Sequence, residues 1–212
     1  MDVFRAIYER RSVRRFTKKN IEPEKLKKII SAANFAPSAC NIQGWKFIII
    51  NKQKIKEKLV NAGTIEFIKY APIGILVLYD NRSENSSYKD YVQSASASIQ
   101  NMLLAAHSMG IGSCWICHLP SKQKLRKIMK IPPSYDPIAY IPLGYPKITP
   151  KPLKRKYNFN ELTSINQFKF KDKTSKKIIA KRFIKRIAFK IYNIIPFKKY
   201  LLPITRKFEK FN

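Results

Sequence analysis

Four arginines and a serine fall within six residues near the start of the chain: Arg10-Arg11-Ser12-Val13-Arg14-Arg15, followed by Phe16. Guanidinium groups grip phosphate through paired hydrogen bonds, and a hydroxyl adds one more. The cluster therefore suits a phosphorylated ligand, with a solvated basic face as the competing reading. A second stretch, Ala36-Pro37-Ser38-Ala39-Cys40-Asn41-Ile42-Gln43-Gly44-Trp45, is rich in turn formers and carries a hydroxyl and two amides just before an apolar run. Amide side chains both donate and accept, so they can read the polar edge of a flat ligand. The alternative is an ordinary helix-to-strand loop. In a third stretch, Gly110-Ile111-Gly112-Ser113-Cys114-Trp115-Ile116, two glycines let backbone N–H groups come close to such a ligand.

These stretches need elements to hold them in place. Residues 2–10 read as a short helix that delivers the arginines into a loop. Pro23 suits the first turn of a helix, and Leu26, Ile29, Ile30 and Ala33 recur at helical spacing until Pro37 ends it. Trp45 to Ile50 reads as a strand, central because it is apolar on both faces. Lys52 to Ala62 is a polar helix stopped by Gly63 in a left-handed cap. Ile73 to Tyr79 is a second buried strand, and 81–87 a polar loop. Tyr88 to Met109 is the longest helix, with Gly110 closing it. Its small-residue middle, Ser94-Ala95-Ser96-Ala97-Ser98, suits close approach by a second subunit or packing within the chain. Gly112 to Cys117 is a third strand, Ser121 to Met129 a short helix and Ile138 to Leu143 a fourth strand. A turn at Gly144-Tyr145-Pro146 follows, and 147–164 is expected to be extended. Helices mixed with separated strands predict an α+β fold.

Composition excludes several classes. A hydrophobic share of 45% and an aromatic share of 12% in 212 residues can build a core, so the chain is not disordered as a whole. No apolar run reaches the roughly 18 residues of a spanning helix, and the N-terminus has no secretory pattern. A cytoplasmic protein is expected. Three cysteines, Cys40, Cys114 and Cys117, do not suggest a disulfide framework. Cys114 and Cys117 have C-x-x-C spacing, but a strand sends residues three apart to opposite faces, which argues against a shared metal. His107 is expected on a helix surface and His118 at the rim of a site. No Rossmann or P-loop glycine motif is present.

The motifs RRSVRRF, APSACNIQGW, AAHSMGIGSCW and LGYP, in that order, resemble the nitroreductase family over about residues 1–162. Gly44 stands where that family usually has proline, which is expected to loosen the loop without removing a ligand. The resemblance implies a central, mostly antiparallel sheet flanked by helices. It also implies a homodimer whose two FMN molecules are each bound by both subunits. Arg10 and Ser12 would hold the FMN phosphate, with Arg11 assisting, and Arg14 would lie at the flavin N1/O2 edge. Pro37, Ser38, Asn41 and Gln43 would line the ring. The backbone near Cys117 and His118 would reach the N5 region, and Arg155 would close the phosphate site. The implied activity is electron transfer from NAD(P)H to a small acceptor such as a nitroaromatic or quinone, by a ping-pong scheme with no side-chain acid or base.

The net charge is +30, and residues 165–212 carry 15 Lys/Arg against 2 Asp/Glu, a net of +13. The expected organisation is therefore a domain over 1–164 and a basic extension over 165–212. Within the extension, 176–195 has helical spacing, with Ile179, Phe183, Ile184, Ile187, Ile191 and Ile195 on one side and Lys181, Arg182, Lys185 and Arg186 on the other. A basic amphipathic segment of this kind, continuing to residue 211, suits an anionic membrane surface and would make the protein peripheral at the inner face. Packing of the apolar side on the enzyme is the alternative. Nucleic acid is a weaker candidate, since phosphate binding needs no apolar stripe. A basic binding module on a retained enzyme fold is the rival function class.

Overall fold

The structure, a computed structural model, describes residues 1–82, 88–151 and 153–170, together with Phe183, Ile184 and Ile187. The chain divides into two compact units, Met1–Leu153 and a second that begins at Lys154.

The first unit is an α+β layer structure. Its elements are α1 (Val3–Glu9), α2 (Pro23–Asn34), β1 (Trp45–Ile50), α3 (Gln53–Asn61), β2 (Ile73–Asp80), α4 (Asp90–Ser108), β3 (Gly112–Ser113), α5 (Lys122–Met129) and β4 (Tyr135–Gly144). The strands form one antiparallel sheet in the order β1-β2-β4-β3. In β2, Ile75 and Val77 join a core with Ile29 and Ala33 of α2 and Ile99, Met102 and Ala106 of α4. Leu76 and Leu78 turn to the opposite face, where Leu59 of α3 and Leu125 of α5 cover them. Each fully buried leucine or isoleucine contributes about 1.5–3 kcal/mol, so the two helical layers hold the sheet from both sides.

That double cover corrects the reading of β1. It pairs only with β2 and lies at the edge of the sheet, with Ile49 still 45% exposed. Its apolar residues face two ways because helices cover both faces, not because strands flank it on both sides. The third strand is also shorter than expected. The ladder covers Gly112 and Ser113 only, and Ile116 makes one isolated bridge to Tyr140. The fourth is longer, beginning at Tyr135 before Pro137. The register with β2 shifts between Val77 and Leu78, and Leu78 is the residue opposite Pro137. Proline offers no N–H, and an irregularity in the ladder is where a strand tolerates it.

Helix ends follow local chemistry. Asp2 caps α1 by accepting from the Arg5 N–H, Ser121 caps α5 by accepting from Lys124, and Gly63 with φ 119° follows α3. Helix α4 starts at Asp90, two residues after the expected Tyr88. Its Ser94, Ala95 and Ser98 are buried within the chain, while Ser96 and Ala97 are half-buried. The small stretch thus already serves packing inside one subunit. A buried ion cluster ties α5 to the sheet. Asp136, 5% exposed, accepts from Arg126 at 2.8 Å, from Asn81 at 3.2 Å and from Lys122.

In the second unit, the stretch expected to be extended contains a short helix, α6 (Phe159–Leu162). Asn158 and Glu161 form its reciprocal capping box. Of the expected 176–195 helix, only Phe183, Ile184 and Ile187 are described; they are helical, with exposures of 64%, 64% and 43%. The rest of that stretch lies outside the described residues.

Candidate functional site

The arginine segment runs in extended form beside the end of the sheet. The Val13 N–H donates to the Ser113 carbonyl at 2.9 Å, the Thr17 N–H to Tyr145 at 2.8 Å, and the Lys147 N–H to Arg15 at 2.9 Å. Val13 and Phe16 point inward and are buried, while Arg14 and Arg15 are exposed. Glycine permits this docking: a Cβ at Gly112 would stand 2.8 Å from Val13 Cγ1. A cleft of about 230 Å³ opens on the outer side, lined by Ser12, Arg14, Arg15, Ile148 and Pro150.

Buried Cys114 reports the neighbourhood. Its thiol is pushed above the ordinary value by burial, against the opposing pull of Arg14, a hydrogen bond with Ser12 and the charge of Arg10, with Cys117 also acting on it. The fold therefore brings Arg10, Ser12, Arg14, Cys114 and Cys117 into one neighbourhood. Cys114 is buried and Cys117 exposed, and both lie beyond the end of β3. Arg11 is used differently: its Nη1 donates to the carbonyls of Tyr8 and Arg10 at 2.6 and 2.7 Å, closing the C-terminal end of α1. His107 is half-buried rather than superficial, and burial holds its pKa below the usual value, with Glu9 opposing and Arg10, Arg11 and Arg5 reinforcing. The reason is that α1 lies across the end of α4. His118 is exposed, and its carbonyl accepts from the Thr64 hydroxyl at 2.8 Å.

The loop from Pro37 to Gly44 is the second cluster. Cys40, Asn41 and Gln43 all take positive φ, at 48°, 55° and 51°. Asparagine accepts that conformation readily; cysteine and glutamine do so at a cost, and such strain collects at functional sites. The loop is wired internally. The Gln43 N–H donates to Ser38 Oγ at 3.0 Å, and Gln43 Nε2 donates to Asn41 Oδ1 at 2.7 Å. It is fixed to α4 by the Ala39 N–H donating to Ser94 Oγ at 3.0 Å. Pro37, Asn41 and Gln43 are exposed and Ser38 half-buried. From Gln43 an open cleft of about 590 Å³ runs between α2 and β1. Gly44 does not loosen the loop as expected. A Cβ there would sit 2.9 Å from Tyr79 Cε1, so the position is closed to a side chain by the Tyr79 ring packed on Trp45.

The two clusters sit at diagonal corners of the sheet. Trp45, which ends the loop, pairs with Tyr79 and, across it, Asp136; Ser113, which holds the arginine segment, pairs with Leu143. Seven residues along β4 and three strand spacings separate the corners by about 27 Å. The path along α4 agrees: Ser94 anchors the loop, His107 adjoins the arginines, and thirteen helical residues span about 20 Å. Arg155 is exposed and belongs to the second unit. Ser113, Arg15, Ile148 and Pro150 were not singled out from the sequence. Arg15 was readable as part of the cluster; the others gain their place only through pairing across the fold.

The nitroreductase family model matches residues 7–70 and 61–145. The chain belongs to the nitroreductase family. A relative from Archaeoglobus fulgidus, provisionally named NADH dehydrogenase/NAD(P)H nitroreductase, is 35% identical over 150 residues, covering 69% of this chain and 86% of the relative. An FMN-dependent nitroreductase from Clostridium difficile aligns with a TM-score of 0.67 at 28% identity, over 78% of this chain and 99% of that one. A provisionally assigned nitroreductase from Desulfovibrio desulfuricans, solved in complex with FMN, aligns with a TM-score of 0.70 at 29% identity, over 79% and 98%.

Proposed function

We infer that this chain is an FMN-dependent NAD(P)H oxidoreductase and that each flavin is held between two copies of it. The 27 Å gap between its two ligand-suited clusters carries the second half of that reading. Arg14 and the Pro37–Gln43 loop are both assigned to one flavin ring, and a single chain holds them too far apart to grip the same ring. A two-fold dimer brings the arginine corner of one copy to the loop corner of the other. The donor set fits FMN: two guanidinium groups and a hydroxyl suit a phosphate dianion and a ring edge, and among the described residues no carboxylate lines the cleft at Ser12 and Arg14. Helix α1 supports the same assembly, because Val3, Phe4, Ile7 and Tyr8 form an apolar stripe exposed by 42–67%.

Within that site, Arg10 and Ser12 bind the phosphate. Arg14 places a fixed positive charge where the reduced ring is anionic. Pro37, Ser38, Asn41 and Gln43 of the partner orient the ring, and the backbone at Cys117 and His118 adjoins its reactive edge. When bound, FMN supplies hydride transfer at N5, so no side-chain acid or base is needed. Arg155 is proposed to close the phosphate site. A single flavin face would serve donor and acceptor in turn, so parallel double-reciprocal lines are expected. The acceptor is a small molecule such as a nitroaromatic or quinone. The test is purification with flavin absorbance and sedimentation. About one FMN per chain on a particle twice 24.8 kDa is expected, and a flavin-loaded monomer at micromolar concentration refutes the shared site.

The extension from residue 176 to 211 is proposed to rest on anionic membrane. Its support is the net charge of +13 over 165–212 and the exposure of Phe183, Ile184 and Ile187. Each cation near an anionic surface adds about 1 kcal/mol. Among the described residues no helix is long and apolar enough to cross a membrane. Full-length protein is expected to co-sediment with phosphatidylserine vesicles at low salt, unlike a chain ending at Ser164; equal behaviour of the two ends the proposal.

A further inference from the structure

Lys56 of α3 is an unusual core residue. It is 3% exposed, and its ammonium donates to the carbonyls of Ala71 at 2.6 Å and Pro72 at 3.1 Å. Among the described residues no carboxylate pairs with it, and burial pushes its pKa below the ordinary value. Keeping a charge in the core costs more than an apolar side chain of similar length would. The two carbonyls it holds lie just before β2, and their residues form the floor of the arginine segment. Ala71 is packed in one buried cluster with Val13 and Phe16. The Pro72 and Phe16 rings meet over Gly144: a Cβ there would stand 2.6 Å from Pro72 Cδ and 3.0 Å from Phe16 Cδ1. Val13 and Phe16 are the inward residues of the extended segment whose other residues include Ser12, Arg14 and Arg15.

We propose that Lys56 is a positioning residue for phosphate recognition: through Ala71 and Pro72 it sets the seat of Val13 and Phe16, and so the placement of Ser12 and the flanking arginines. The proposal rests on the assignment of those residues to the FMN phosphate. It differs from a purely structural role in what it predicts. A looser floor misplaces phosphate ligands by fractions of an ångström, and charge-assisted hydrogen bonds are sensitive to that geometry. The ring draws on Arg14 as well, but it also rests on the partner's 37–43 loop, which Lys56 does not seat, so its binding is weakened less than that of the phosphate. An arginine can reach the same two carbonyls with its own N–H donors.

The experiment titrates purified apoprotein with FMN and with riboflavin, which lacks the phosphate, following quenching of flavin fluorescence. Lys56→Met is expected to weaken FMN at least tenfold and riboflavin, which loses only the Arg14 contact, by a clearly smaller factor, and Lys56→Arg to recover much of the FMN affinity. Equal weakening of both flavins, or no change in either, overturns the proposal. If Lys56→Met does not fold, Pro72→Ala keeps the ammonium and removes the ring that meets Phe16. It too is expected to lower the preference for FMN over riboflavin, and an unchanged preference overturns the proposal. Failure of the underlying reading looks different, because wild-type protein would then show no preference for FMN over riboflavin.

Discussion

Two damaged proteins should repair each other if the flavin site is built from two chains. The first variant, Arg10→Ala with Arg14→Ala, breaks the arginine corner. Hydrogen bonds to charged groups contribute about 1.5–3 kcal/mol each, so losing two costs about 3–6 kcal/mol, or roughly a hundred- to ten-thousandfold in affinity. The second, Ser38→Ala with Asn41→Ala, breaks the loop corner. It removes the acceptors for the Gln43 N–H at 3.0 Å and for Gln43 Nε2 at 2.7 Å, so the positive-φ turn loses the bonds that hold it as well as its ligand groups. Each homodimer then has two defective sites and should purify nearly free of flavin. Co-refolding equal amounts gives about half mixed dimers by random assortment. In a mixed dimer one site receives both defects and the other receives none. About a quarter of all sites should therefore regain wild-type affinity, read as the flavin-to-protein absorbance ratio at micromolar FMN. No recovery, with mixed dimers verified by mass, would show that each site is made within one chain and would refute the corner argument.

Asp136→Asn should lower stability by about 2–4 kcal/mol, because it leaves Arg126 and Lys122 without their buried partner while Lys122 keeps access to water. The measurement is the urea midpoint, and a loss below about 0.5 kcal/mol would mean the cluster does not hold α5 to the sheet. His107 carries a pH signature of definite sign. Its folded pKa lies below the ordinary 6.5, so as pH falls through 6.5 the unfolded chain binds a proton before the folded one does, and stability declines until the folded value is passed. His107→Gln should flatten that decline in urea unfolding carried out across acidic pH, and identical slopes in both proteins would place the titration elsewhere.

What the sequence made legible was local. The proline at the start of α2, the glycine after α3 and the four motifs each act within a few residues, and the structure places them in the order the chain presents them. Local patterning could not rank the strands. Phe47 and Ile48 face opposite cores, which is the pattern of a central strand, yet covered faces and flanking strands leave the same trace in a sequence. Cys114 and Cys117 do differ in exposure as expected, yet neither lies in β3; the shortening of that strand was not legible, because it depends on how far Gly144 and Leu143 of β4 extend alongside it.

The candidate site divides along the same line. Arg10, Ser12 and Arg14 suit a phosphate by type, and the family resemblance assigns them to one, but what seats that segment is contributed by residues far along the chain: Lys56, Ala71, Pro72, Ser113 and Tyr145. Ser113 and Tyr145 fall inside recognisable motifs, but Lys56, Ala71 and Pro72 have no local pattern that marks them. Gly44 shows the limit most sharply. As a departure from the family pattern it read as a loss of rigidity, because a glycine in place of proline frees the backbone. In the fold the position is constrained from outside, since Tyr79 fills the space a side chain would need and the Gly44 carbonyl accepts from the Asp80 N–H at 2.9 Å. The loop is thus held at Gly44 by the neighbouring strand and at Ala39 by Ser94 of α4, with the positive-φ residues Cys40, Asn41 and Gln43 between the two anchors. A loop pinned at both ends can keep three non-glycine residues in the left-handed region, and that rigidity is what a partner's flavin ring would require of it.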